Sequence, residues 1–394
     1  MLTMITKEEN NMKKLIALVL AVMMLVPAFA MAEDVIKIGV YEPASGSNGA
    51  GGKQETLGVQ YANSKTPTIK IGDTEYKIEL VIADNGSEND KAPSAAQQII
   101  SAGASIALGS YGSGVSIAGS QYFKDANIPV IGLTCTNPQV TAGNTHSFRV
   151  CFLDPFQGTV LANYAYNTLG VKTAYCLGEL GNDYDQGLIE YFKQALEGLG
   201  GTVFKDDFPS KTQDFNSYLT NAVAYGAEVF FCPVSIEYST LIIQTASAQG
   251  LEIPILGGDT LDSNKVAEAA TGTNIKVIIT TFYQEGANKE FDEGFKAWLN
   301  ENPEAMTNNG GNDMIAAVSV MGYDGYYMAL AALQAAGSIN GADVMAALPT
   351  TEIDGVSGHI KFDETGDAIR TSAFVKTINN ETGEWEFVAE QTVE

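Results

Sequence analysis

Nearly continuous apolar runs recur along the chain from residue 35: VIKIGV, KIELVIAD, ASIALGS and IPVIGLT, then TAYCLG, GTVFKDDF, AEVFFCPVS, IPILGGDT and VIITTFY. Between them lie segments such as 92–101 and 186–199, whose apolar residues return at helical spacing. Strands that are apolar throughout and alternate with helices predict an α/β fold of parallel sheets covered on both faces. One internal echo refines this. GASIALGSYGSGVS (103–116) precedes IPVIGLTCT (128–136), and GAEVFFCPVSIEYS (226–239) precedes IPILGGDTL (253–261). Each pair runs Gly-Ala, strand, Ser-containing loop, helix, Ile-Pro, strand, polar tip, which predicts two similarly built α/β lobes. Ligands of open α/β sheets sit beyond the carboxyl ends of the strands, so facing lobes would turn both sets of tips into one cleft. After Phe282 the pattern turns helical, and residues 358–388 read as a short β-meander with turns at Asp-Glu-Thr-Gly and Glu-Thr-Gly. No low-complexity linker divides the chain, so it is expected to cross between lobes more than once.

With 394 residues, 45% hydrophobic and 18% charged, the chain suits two domains plus extensions. Its formal charge of −25 argues against nucleic acid as a partner, because phosphate binding needs a basic surface. Lys13 and Lys14 precede the twelve apolar residues LIALVLAVMMLV, then Pro27 and Ala30-Met31-Ala32. That is the pattern of a cleavable secretory signal over residues 1–32, with Met12 as the start and MLTMITKEENN an upstream extension. The run is shorter than the roughly 20 residues that span a bilayer. Export permits disulfides, and Cys176 and Cys232, each closing an apolar run, are either bridged or buried free thiols. Cys135 and Cys151 complete a set with no C-x-x-C pair, so zinc chemistry is not indicated and no metal is expected.

The stretch YEPASGSNGAGGKQ (41–54) follows the first strand, where nucleotide-binding proteins hold phosphate. It fails both glycine-rich signatures. Ser47 and Gln54 stand where the P-loop needs Gly and Ser/Thr, and Gln54 stands where the dinucleotide pattern needs its third Gly. A flexible rim of the cleft is the better reading. His146 and His359 sit in no nucleophile or metal pattern, and Tyr111 occupies the serine position of the superficially elbow-like SYGSG. An enzyme is not expected.

In order along the chain stand IKIGV…SG……GK (36–53), IELVIADNGSENDKAPSAAQQII (78–100), IPVIGLTCTNPQVT (128–141), FRVCFLDPFQG (148–158), YDQGLIEYFKQALEGLGGTV (184–203), DFNSYLTNAVAYGAEVFF (214–231), GLEIPILGGDTL (250–261), GYDGYYMALAAL (322–333) and GHIKFDETGD (358–367). With these the chain resembles the periplasmic solute-binding proteins of branched-chain amino acid ABC transporters, the leucine/isoleucine/valine-binding type. The resemblance implies a two-lobed type I fold with three hinge crossovers, each lobe a Rossmann-like parallel sheet flanked by helices. It places residues 33–153 plus 284–357 in the first lobe and 154–283 plus 358–394 in the second. It also implies a periplasmic monomer without cofactor that captures an amino acid and delivers it to a membrane permease complex.

By motif, the resemblance places Ser113, Thr134, Cys135 and Thr136 in the first lobe's ligand contacts, and Tyr184 (of Y-G-x-G-L) and Asp259 in the second's. The residues alone point the same way. Ser113 opens a helix whose free N–H groups favour a carboxylate, and Asp259 at a facing strand tip suits an ammonium. Both also suit helix capping, and Tyr184 also suits packing. Two departures stand out. Gly51 and Ser235 occupy positions where the family often has aromatics, so two walls are missing, with Tyr111 placed to lean into the gap. A wider or more polar pocket follows, open to a larger, aromatic or polar amino acid. A different small polar solute (an amide, urea or an aromatic acid), an exported α/β hydrolase and a sensor module are the competing readings.

Overall fold

The computed structural model describes residues 34–392, so the expected export signal over residues 1–32 lies outside the described residues. The chain begins with β1 (Val35–Glu42), a strand buried along most of both faces. There follow α1 (Gly49–Lys65), β2 (Thr68–Ile71), β3 (Thr74–Asp84), α2 (Ala92–Ala102), β4 (Ile106–Leu108), α3 (Ser113–Asp125), β5 (Val130–Gly132) and β6 (Ser147–Arg149). These strands form one sheet in the order β2-β3-β1-β4-β5-β6, parallel except for the β2–β3 hairpin.

A second run supplies α4 (Asp154–Asn163), β7 (Thr173–Glu179), α5 (Asp183–Gly198), β8 (Thr202–Phe208), α6 (Asn216–Ala224), β9 (Val229–Phe231), α7 (Ile236–Ala248), β10 (Ile255–Gly257), α8 (Asn264–Ala270) and β11 (Val277–Thr281). The chain then adds α9 (Lys289–Glu301), α10 (Pro303–Asn308), α11 (Ala317–Ala336) and α12 (Gly341–Ala347). The core of the first sheet takes in Phe291, Phe295, Val320, Met321, Met328 and Leu333 from these helices. The hairpin β12 (Glu352–Gly355) and β13 (Gly358–Lys361) stays with that core through Ile360. Finally β14 (Ser372–Ile378) and β15 (Trp385–Thr392) join the second sheet, ordered β15-β14-β11-β10-β9-β7-β8. Because β13 pairs with β12 and not with β14, the C-terminal strands are not one continuous meander.

The chain therefore passes between the two sheets three times, near residues 150–153, 282–288 and 362–371. The first and third passages are tied by fully buried Arg149, whose Nε bonds Asp367, and by Arg370, whose Nη2 donates to the Val150 carbonyl at 2.8 Å. In each sheet the chain starts on an inner strand, builds out to one edge (β2 and β3 in the first, β8 in the second), then switches to the other side. In the first the switch falls between β1 and β4, in the second between β7 and β9. Crevices open at the carboxyl ends of the strands flanking such points.

One sequence expectation changes here, and one alternative left open is decided. The glycine-rich stretch is not a flexible rim: residues from Gly49 onward form the first turns of α1, held by a Gly52 N–H to Asn48 carbonyl bond at 3.0 Å. Cys176 lies on β7 and Cys232 directly follows its partner strand β9, and both are free thiols. Cys176 is opposite Phe231, one residue short of Cys232. Side chains alternate along a strand, so the two sulfurs fall in core clusters on opposite faces of the sheet.

Candidate functional site

The carboxyl ends of the two sheets face each other and enclose a cavity of about 360 Å³. Both switch points open into it. Tyr111, Ser113 and Gly114 follow β4, Glu179 ends β7 and Leu180–Asp185 follow it, and Ser235 follows β9. Its rims touch. The Asn137 side chain donates to the Asp183 carbonyl at 2.8 Å, and Gln54 reaches Asn264 at 3.3 Å. This is a closed cleft.

Tyr111, Ser113, Tyr184 and Ser235, all named from the sequence, line the cavity together with Thr260. Tyr111 does more than lean inward. Its backbone N–H donates to Glu42 Oε2 at 2.7 Å, across the first switch point, and its hydroxyl crosses the cleft to donate to the Thr260 carbonyl at 2.9 Å. The ring takes the volume that Gly51 leaves free, since a Cβ there would sit 2.4 Å from it. The wider pocket expected from Gly51 is therefore not present on that side: the missing wall is supplied from the next loop.

Ser113 opens α3 but does not cap it; its hydroxyl accepts the Asn137 N–H at 3.2 Å, fixing the tip beyond β5. On that tip the three candidates diverge. The Thr134 hydroxyl turns away to donate to the Glu55 carboxylate at 3.0 Å. The Cys135 carbonyl accepts from Arg149 Nη1 at 2.8 Å, while its sulfur packs back against Gly132. Thr136 keeps a buried hydroxyl that faces the Asp154 carboxyl.

Asp259 begins a single 3₁₀ turn behind the cavity wall, and Ser263, not Asp259, caps α8 by accepting the Lys265 N–H. Asp259 is 2% exposed. Its Oδ1 accepts from Tyr184 Oη at 2.9 Å and from Gln157 Nε2 at 2.8 Å, both neutral donors. Gly258 makes this possible, because a Cβ there would lie 2.3 Å from the Tyr184 hydroxyl. Burial outweighs these hydrogen bonds, and the carboxyl is pushed up to about 6 from 3.8. Nearby Asp262 differs in having a cation, Lys376, at 3.1 Å.

Sequence reasoning missed a ring of acids around this point. Asp154, on α4 one turn before Gln157, is pushed up to about 8, first by burial and further by the charge of Asp259. Its carboxyl has the Thr136 hydroxyl as its hydrogen-bonding neighbour and no cation paired with it, and Gln157 Oε1 is buried without a partner. Glu42 and Glu55 are buried too and held well above the carboxylate range, chiefly by desolvation; the charge of Glu55 raises Glu42, and that of Asp259 raises Glu55. Asp185 lines the cavity, and a signal for it existed. This chain reads YDQGL where the family pattern has glycine in second place. Among the described residues no group of three His, Cys, Asp or Glu is arranged to hold a metal ion.

Thus two switch-point crevices close on one polar cavity between hinged sheets, and a model of the family described as periplasmic binding protein matches residues 35–383. The chain belongs to the periplasmic binding protein family. A curated relative, the amino acid binding protein of Pseudomonas aeruginosa, is 29% identical, with 92% of this chain and 94% of the relative aligned. The crystal structure of a leucine binding protein from Thermotoga maritima superposes with a TM-score of 0.80 at 30% identity, covering 91% of this chain and 99% of that one. A branched-chain amino acid transporter substrate binding protein from Streptococcus pneumoniae, solved with isoleucine, shares the fold at 24% identity and a TM-score of 0.78, covering 91% and 99%. The α/β architecture of two helix-flanked, largely parallel sheets is that of these binding proteins. Among the described residues no helix is long and apolar enough to cross a membrane.

Proposed function

We propose that this binding protein captures an amino acid between its lobes outside the cytoplasm and hands it to an ABC transporter permease. In this reading residues 33–153 and 284–361 form the first lobe and 154–283 and 362–394 the second, because the β12–β13 hairpin stays whole with the first sheet's core through Ile360, and residues 1–32 direct export to the periplasm. The protein works as a monomeric carrier and not as an enzyme.

Asp259 carries the reading. It is an acid buried behind the cavity wall with only neutral donors on one oxygen, next to Gln157, whose Oε1 has no partner, and near the Asp154 carboxyl, which has only the neutral Thr136 hydroxyl against it. Buried polar atoms normally have partners, and buried charges are normally paired. So many acceptors with no cation among them suit a ligand that brings its own, an α-ammonium. The ligand carboxylate is assigned to the Ser113 side, where the first N–H groups of α3 and the helix dipole favour negative charge. The relatives named above bind amino acids by description, which supports the same class.

Gripping one ligand from both sheets favours the closed arrangement over an open one, because the contacts of either lobe alone are fewer. Mass spectrometry of small molecules released when the purified protein is denatured should show an α-amino acid in near-stoichiometric amount. Recovery of a urea, an amide or an aromatic acid in its place would overturn the assignment.

A further inference from the structure

We infer that the amino acid this protein binds carries a cationic side chain. The inference rests on the amino-acid reading above and deepens it. Five carboxylates line the cavity, Glu88, Asp90, Glu179, Asp183 and Asp185, and no lysine or arginine does. Two cations act on the outer acids: Lys91 pairs with Glu88 at 2.9 Å and also attracts Asp90, and Lys211 adds attraction to Glu88. The inner acids Glu179, Asp183 and Asp185 have neither.

Two buried, unpartnered atoms on the cavity wall make this a built site and not merely an acidic rim. Asp185 is 1% exposed; its Oδ2 accepts the Glu179 N–H at 2.8 Å while its Oδ1 has no partner. Ser235 is 2% exposed and its hydroxyl is likewise unpartnered. An aliphatic side chain filling this space would leave both stranded out of water, at the cost that any orphaned buried polar group carries. A guanidinium or ammonium supplies donors to both at once and neutralises the carboxylate. Burial holds the Asp185 carboxyl well above its ordinary range, and an incoming cation offsets that same penalty. A cavity of about 360 Å³ accommodates a long basic side chain. The acids are not arranged as a metal site, so an organic cation is the fitting occupant.

The test is calorimetric titration of the intact, ligand-stripped protein with arginine and lysine, each against its uncharged counterpart, citrulline and norleucine, and with leucine. The charged member of each pair should bind at least about tenfold more tightly, in line with the strength of charge-assisted contacts. Asp185→Asn should shrink that advantage by about tenfold, since it removes the ion–ion part of the contact. Asp183→Asn, a half-buried neighbour, should shrink it less and serves if the first variant misfolds. Leucine or citrulline binding as tightly as arginine would overturn the inference and leave the amino-acid reading standing. Binding of no amino acid would overturn both.

Discussion

Asp259 costs the empty protein stability. Raised from 3.8 to about 6, its carboxyl takes up a proton more readily folded than unfolded. The folded state is therefore favoured below pH 4 and loses that advantage as pH climbs through 6. A displacement of about two pH units corresponds to about 3 kcal/mol once the group is fully ionised. Asp259→Asn keeps an acceptor for Tyr184 and Gln157 and sheds the charge. It should raise the melting temperature of ligand-free protein at pH 8 and have much less effect at pH 4.5. An equal shift at both pH values would mean that Asp259 is not the penalised group. Tyr111 spans the cleft through its hydroxyl bond to the Thr260 carbonyl. Tyr111→Phe removes that bond and should speed ligand release about fivefold, matching the roughly 1 kcal/mol of an ordinary hydrogen bond; stopped-flow dissociation reads it. At this scale the sequence was only partly legible. Ser113, Tyr184 and Asp259 stood in motif positions, whereas Asp154, Glu42 and Glu55 come together only through a crossover and a switch point, which no local pattern encodes.

Elements were more readable than contacts, and the reason is burial. β1, β4, β5 and β7–β11 are short, mostly apolar and covered on both sides, so composition alone marked them. The exception among them is β8, an edge strand with charged positions that was marked by its apolar start, Val203-Phe204. Edge strands β2 and β6 escaped notice, being three or four residues long and partly polar or flanked by polar residues. The start of α1 was misread because Gly49, Gly51 and Gly52 are poor helix formers. Tertiary packing overrides that preference, since Gly51 gives its space to the Tyr111 ring. Gly51→Ala should therefore help the helix locally and still destabilise the protein by about 1–3 kcal/mol, the usual cost of overpacking, in a denaturant melt. A stabilised variant would show that the ring can move aside freely.

Over the whole molecule, function follows from duplication of one architecture. Two sheets present their switch points to each other, three passages join them, and the polar tips meet in one cavity. That arrangement was foreshadowed by the repeated Gly-Ala, strand, Ile-Pro, strand order, because a repeated pattern of buried strands and helices folds into repeated lobes. Which tips carry charge with no counter-charge was not foreshadowed. The pairing of the ligand's α-ammonium with Asp259, proposed above, is the contact on which recognition turns. Calorimetric titration of the protein with its preferred amino acid and with the α-hydroxy acid of the same side chain tests it most directly. Replacing the ammonium by hydroxyl should weaken binding by about 3 kcal/mol or more in the wild type, the order expected for stranding one partner of a buried charge pair. The same replacement should matter far less in Asp259→Asn. Equal affinities for the two ligands, or an undiminished preference in the variant, would contradict the account.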